Sequence, residues 1–120
     1  MPENESPKDL EERTYEFARD VRTFVKQLPR TETNIEDVPQ LVRASRSVAA
    51  NYIEANDALG KKDFLMRLRI SRKESKESGL FLRLVDCGAR DGLEAERKRL
   101  VQEARELKLI LSAMINKCGG

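Results

Sequence analysis

Histidine and tryptophan are absent from this 120-residue chain, aromatic residues make up 5% of it, and there are two cysteines. Each shortage excludes something. Without histidine the usual general base, the commonest zinc ligand and every Ser-His-Asp or Cys-His device are missing. Two cysteines do not make a disulfide framework. No stretch approaches the ~18 consecutive apolar residues of a membrane span. The polar opening MPENESPKDLEER has no apolar core of a secretory signal, so the expected location is the cytoplasm. What is abundant is charge: 37% of residues are charged against 39% hydrophobic, well above the roughly 25% charged share of an average domain. Abundant Leu, Glu, Lys, Arg and Ala with few aromatics points to long helices. The length suits one domain, able to bury about two-thirds of its unfolded surface without disulfides or metal.

Apolar residues recur at alternating steps of four and three along four segments, the stripe of an amphipathic helix. The first helix is expected over 7–28, with Ser6 as cap, Pro7 in the first turn and Asp9 at capping-box spacing. Leu10, Thr14, Phe17, Val21, Phe24 and Leu28 form its stripe, and Pro29 ends it. Residues 1–6 read as disordered and 30–37 as a polar loop. The second helix is expected over 38–59, with the stripe Leu41, Ser45, Val48, Tyr52, Ala55 and Leu59. The third, over 61–87, carries Phe64, Leu68, Ser71, Ser75, Ser78, Leu82 and Val85. It also carries a second apolar row, Met66, Ile70, Phe81 and Leu84, the candidate subunit interface. The fourth, over 92–117, follows a tight turn, with Asp91 and Glu94 at capping-box spacing and Leu100, Ala104, Leu107, Leu111, Met114 and Cys118 as its stripe. Four such helices joined by short loops predict an all-α, antiparallel up-and-down four-helix bundle over 7–118, and a period near 3.5 predicts a left-handed one.

A net charge of +2 conceals an uneven distribution. Residues 60–90 carry nine basic and four acidic groups, whereas 1–28 and 29–59 are each net acidic. On the third helix Lys62, Arg69, Lys76 and Arg83 repeat every seven residues, with Arg72 and Lys73 beside them. Such a stripe could contact phosphates, arginine forks being suited to bidentate binding. The alternative is a solvated face with local ion pairs. No aromatic is interleaved, so base stacking on single strands has little support.

Glu54, Glu74 and Glu77 raise a di-metal hypothesis, but such bundles use Glu-x-x-His pairs and this chain has no histidine. Pairing with Arg43, Arg46, Arg67 or Arg69 is the expectation, and no metal or cofactor is assigned. Cys87 and Cys118 fall at opposite ends of an antiparallel helix pair, roughly 35 Å apart at ~1.5 Å rise per residue, and are expected to be free thiols. Lys61-Lys62-Asp63 is a helix start, since no G-x-x-x-x-G-K precedes it.

The stretch from Gln40 to Ala55 (QLVRASRSVAANYIEA) resembles the signature of a four-helix-bundle family first noted as open reading frames in intervening sequences of bacterial 23S rRNA genes. The matching positions are Gln40, Arg43, Ala44, Ser47, Asn51 and Glu54. The segments KKDFLMRLRI (61–70) and RKESKES (72–78) also fit, and the likeness covers about residues 9–117. Ala49 stands where many members have Pro, and Ala55 where many have Gly. The resemblance implies a bundle that assembles into a ring, commonly a homopentamer. Accessory proteins of diversity-generating retroelements are similar bundles, basic pentamers that bind nucleic acid and a reverse transcriptase. The family offers no catalytic residues to carry over.

The expectation is therefore a non-enzymatic, homo-oligomeric bacterial protein that associates with RNA or DNA through Lys62, Arg69, Arg72, Lys73, Lys76 and Arg83. A reverse transcriptase is a further partner the resemblance suggests, and no membrane role is expected. The alternative is a purely structural or protein-interaction bundle without nucleic-acid binding. An enzyme would need a pocket of perturbed carboxylates such as Glu54 with Glu74 or Glu77.

Overall fold

Thr31 ends the loop after the first helix: its hydroxyl accepts the backbone N–H of Asn34 at 3.1 Å, which satisfies one of the four donors that a helix start leaves open. The computed structural model, which describes residues 7–119, therefore begins its second helix at Glu32. The elements are α1 (Pro7–Val25), α2 (Glu32–Asn56), α3 (Lys61–Leu84) and α4 (Asp91–Lys117). The expected cap Ser6 and the expected disordered residues 1–6 lie outside the described residues.

Several local expectations need correction. Residues 32–37 are helical rather than loop, because Thr31 caps them and Val38 packs against the core. Pro39 accordingly sits inside α2. The first helix stops at Val25, and Gln27 and Leu28 tighten into i→i+3 bonds before Pro29, the conformation before proline being biased away from helix. Leu59 is fully exposed in the linker, since α2 closes at Asp57. The Asp91–Glu94 box does not form. Arg90 is the N-cap without a side-chain cap, and Glu94 binds Arg97 instead.

The third helix ends at Leu84 rather than 87. Its exposed carbonyls are taken up by Arg97, which donates to the oxygens of Leu82, Arg83 and Val85 at 3.2, 3.0 and 2.6 Å. The chain then turns through Gly88 and Ala89, both at positive φ. Gly88 also lies against Pro29, whose Cγ would be 3.4 Å from a Cβ placed there.

The four helices form a four-helix bundle with an all-α architecture and, among the described residues, no strand. Consecutive helices pack together and α4 returns to α1, while the diagonal pairs do not meet, so the helices stand at the corners of a square. The core is the set of stripes read from the periodicity: Leu10, Phe17, Val21 and Phe24, Leu41, Val48 and Tyr52, Leu68 and Leu82, Leu100, Leu107 and Leu111. Leu93 and Ile115 join it from α4.

The small centre of α3 has a physical account. Ser71, Ser75 and Ser78 are buried, and each hydroxyl donates to a carbonyl: Ser71 to Val48 across to α2 at 2.8 Å, Ser75 to Ser71, and Ser78 to Glu74. No hydroxyl is left unpaired at a site where that would be costly. Their size lets α3 lie close to both neighbours, and the α2–α3 and α3–α4 pairs are the most closely packed. The α1–α4 seam is the loosest.

Candidate nucleic-acid interface

The seven-residue repeat places Lys62, Arg69, Lys76 and Arg83 along one line of α3, with only ~20° drift per repeat. All four are exposed, as is Lys73. Arg72 is half-buried and reaches α4, where it donates to Ser112 Oγ at 3.4 Å.

The structure adds a second wall that the charge count alone did not single out. Arg105 and Lys108 of α4 stand across from Lys76 and Arg83, and the two helices bound a cleft of about 310 Å³. Gly79, Val101 and Ala104 lie between them, and the exposed Leu80 also lines the cleft. A Cβ placed on Gly79 would be 3.8 Å from that of Ala104, so the helices lie close there. Among the described residues no carboxylate lines the cleft. Arg105 and Lys108 could have been found from sequence by continuing the α4 stripe one position outward from Ala104 and Leu107. Their meaning depends on which face of α4 turns toward α3.

Several arginines elsewhere are occupied by carboxylates. Arg13 on α1 makes a bidentate pair with Glu103, at 2.7 and 2.9 Å, and reaches Glu106 at 2.8 Å. Arg99 binds Glu96 and Asp20, and Arg97 binds Glu94. By contrast, among the described residues, Lys62, Arg69, Arg72, Lys73, Lys76, Arg83, Arg105 and Lys108 form no ion pair. The cations of the α3–α4 side are thus uncompensated, and their fields add over the cleft.

The signature positions of α2 form the outer edge of the α2–α3 seam. Arg43 bridges Gln40 to Glu74 and Glu77 at 3.3–3.5 Å. Asn51 donates to Ser47 and accepts from Arg67 at 3.2 Å. Ala44 is buried and Glu54 is exposed. Gln40, Arg43, Ser47 and Asn51 are thus a polar clasp against α3, separate from the basic cleft. Glu74 and Glu77 are turned to Arg43, and Arg67 lies within 3.9 Å of Asp63. Of the arginines expected to hold the glutamates, Arg43 does so, Arg67 goes to Asn51 and Asp63, and Arg46 faces α1.

The second apolar row divides. Phe81 is half-buried and packs against the core, and Ile70 is half-buried. Met66 and Leu84 are 44% and 54% exposed, the two positions free to meet another surface. Cys87 and Cys118 are free thiols. Burial pushes the Cys87 thiol above its ordinary pKa, which lowers its reactivity. No described helix is long and apolar enough to cross a membrane.

A family model described as 23S rRNA-intervening sequence protein matches residues 9–113. Among solved structures, a protein of unknown function from the S23 ribosomal protein family of Bacteroides thetaiotaomicron is similar in fold. Its TM-score is 0.75 at 23% sequence identity, over 88% of this chain and 96% of that one. No curated protein matches. The family match spans the whole bundle from α1 to the last turns of α4, and this chain belongs to the 23S rRNA-intervening sequence protein family.

Proposed function

We propose that this protein is a non-enzymatic, cytoplasmic helical bundle that associates with nucleic acid, RNA foremost, through the α3–α4 cleft. One observation carries the reading. Lys76 and Arg83 of α3 face Arg105 and Lys108 of α4 across a cleft that no carboxylate of the described residues lines, Arg69 and Arg72 extend the cationic side along α3, and none of the six is held in an ion pair among the described residues. Charge-charge repulsion of this kind lowers stability, and an anionic partner relieves it. The contacts are to phosphates, because no aromatic side chain lines the cleft to stack on bases. Such binding is sequence-tolerant and strongly salt-dependent. A homo-oligomer, with Met66 and Leu84 at its interface, multiplies the cleft and raises avidity. A pentamer and a reverse-transcriptase partner are the forms the family resemblance favours.

The test is charge reversal on each wall separately. Arg69→Glu with Lys76→Glu on α3, and Arg105→Glu with Lys108→Glu on α4, are each expected to weaken binding to a labelled structured RNA at least tenfold. Helicity and native mass should be unchanged. If the α3 pair matters and the α4 pair does not, the site is a one-helix stripe. If neither matters, the cleft is not the site.

A further inference from the structure

The outer side of the α1–α2 seam, on the far side of the square from the basic cleft, is an apolar trough made of two clefts. Near its middle Ala18, Ala49 and Ala50 form a low floor between Tyr15 and Ile53, in a cleft of about 470 Å³. Tyr15 and Ile53 are 52% and 42% exposed. Toward the α1 C-terminus the same two helices bound a second cleft of about 340 Å³, with Val25, Leu28, Val38 and the half-exposed Ile35 in its walls. From Ile35 to Ile53 is about 27 Å along α2 at 1.5 Å per residue, or five helical turns. The alanine floor with its Tyr15 and Ile53 walls lies in the first cleft and the aliphatic walls in the second, and together the two clefts fit the apolar ridge of one more helix.

Charge narrows the occupant. Arg22 and Arg46 both line the first cleft, and neither forms an ion pair among the described residues. Arg19 stands beside them, 5.7 Å over the Tyr15 ring and bound to Asp20, and Arg30 lines the second cleft. Among the described residues no carboxylate lines either one. We infer that this trough docks an acidic amphipathic helix of a partner protein, with apolar side chains on the alanine floor and carboxylates against Arg22 and Arg46. A second copy of this chain is a poor occupant. Its exposed aliphatic side chains on helices outside the trough, Met66, Leu80, Leu84 and Leu109, stand among the uncompensated lysines and arginines of α3 and α4 and would bring cation onto cation. This surface is distinct from the proposed phosphate cleft and does not rest on it.

The probe is a labelled synthetic peptide of about 18 residues with Leu and Ala at a and d positions and Glu flanking them, compared with the same peptide carrying Lys for Glu. Anisotropy titration of the intact protein is expected to show the acidic peptide binding at least tenfold more tightly than the basic one. Arg22→Glu with Arg46→Glu, and separately Ala50→Glu at an exposed position, should each weaken it tenfold or more. Lys76→Glu with Arg83→Glu should leave it unchanged. Absence of binding, or equal binding of the two peptides, overturns the inference. So does a loss that follows Lys76 and Arg83, which would move the peptide to the phosphate cleft. A drop in native mass of the Arg22/Arg46 variant alone would make the trough a self-interface and also overturn it.

Discussion

Asn34 illustrates how one polar residue can fix a bundle end. It is buried, donates to the carbonyls of Pro29 and Asp86 at 2.9 Å each, and accepts the backbone N–H of Asp86 at 2.8 Å. One amide therefore ties the α1–α2 loop to the α3–α4 loop. Asn34→Ala leaves the Asp86 N–H and two carbonyls without their partner and should cost about 2 kcal/mol, read as a fall in the urea midpoint with an unchanged slope. This residue was not legible in the sequence. Within RTETNIED it looks like one more loop polar group, and its value comes from Asp86, 52 residues away. The signature residues were legible as a stripe, but their partners were not: the Arg43–Glu74 and Asn51–Arg67 contacts require the register of α2 against α3.

At the scale of elements, periodicity found every helix because each stripe is nearly continuous, and it missed ends wherever a cap or a guanidinium decided them. Thr31 moved the start of α2, and Arg97 took over the carbonyls at the end of α3. The seams also differ in kind. The α2–α3 and α3–α4 seams rest on small side chains and close approach, with the Arg43 bridge added on α2–α3, whereas the looser α1–α4 seam is held by Arg13 with Glu103 and Glu106 and by Arg99 with Asp20. Hydrogen bonds from Gln102 and then from Arg13 hold the Glu106 carboxyl below its usual pKa. A carboxylate whose folded pKa is depressed adds stability above its unfolded pKa and loses it as pH falls through the folded value. The melting temperature should therefore decline on acidification below about pH 4.3, the ordinary glutamate value. Glu106→Gln should flatten part of that decline. An unchanged acid limb in this variant would mean that Glu106 contributes nothing to closing the α1–α4 seam.

For the whole molecule the organising feature is the segregation of charge. The sequence count located the excess of cations on the third helix, and the fold added the α4 wall and left both unpaired, while the arginines of the α1–α4 side were taken up by carboxylates. Assembly belongs to this scale too. Met66→Asp with Leu84→Asp changes two exposed side chains, so it should lower native mass at constant melting temperature if that face joins copies. Phe81→Asp, by contrast, strikes a side chain packed on the core and should lower stability whatever the assembly. Equal mass for wild type and the double variant would remove Met66 and Leu84 from any interface.

The most direct test of the phosphate cleft is an anisotropy titration of the intact protein into labelled structured RNA and duplex DNA at several salt concentrations between 50 and 300 mM. The expected result is binding that weakens steeply, with a log–log slope per protomer no steeper than about −5 for six phosphate contacts at roughly −0.9 each. Reversing Lys76 and Arg83 should make that slope shallower by about two. No binding at the lowest salt, or a slope that the reversal leaves unchanged, would contradict the account.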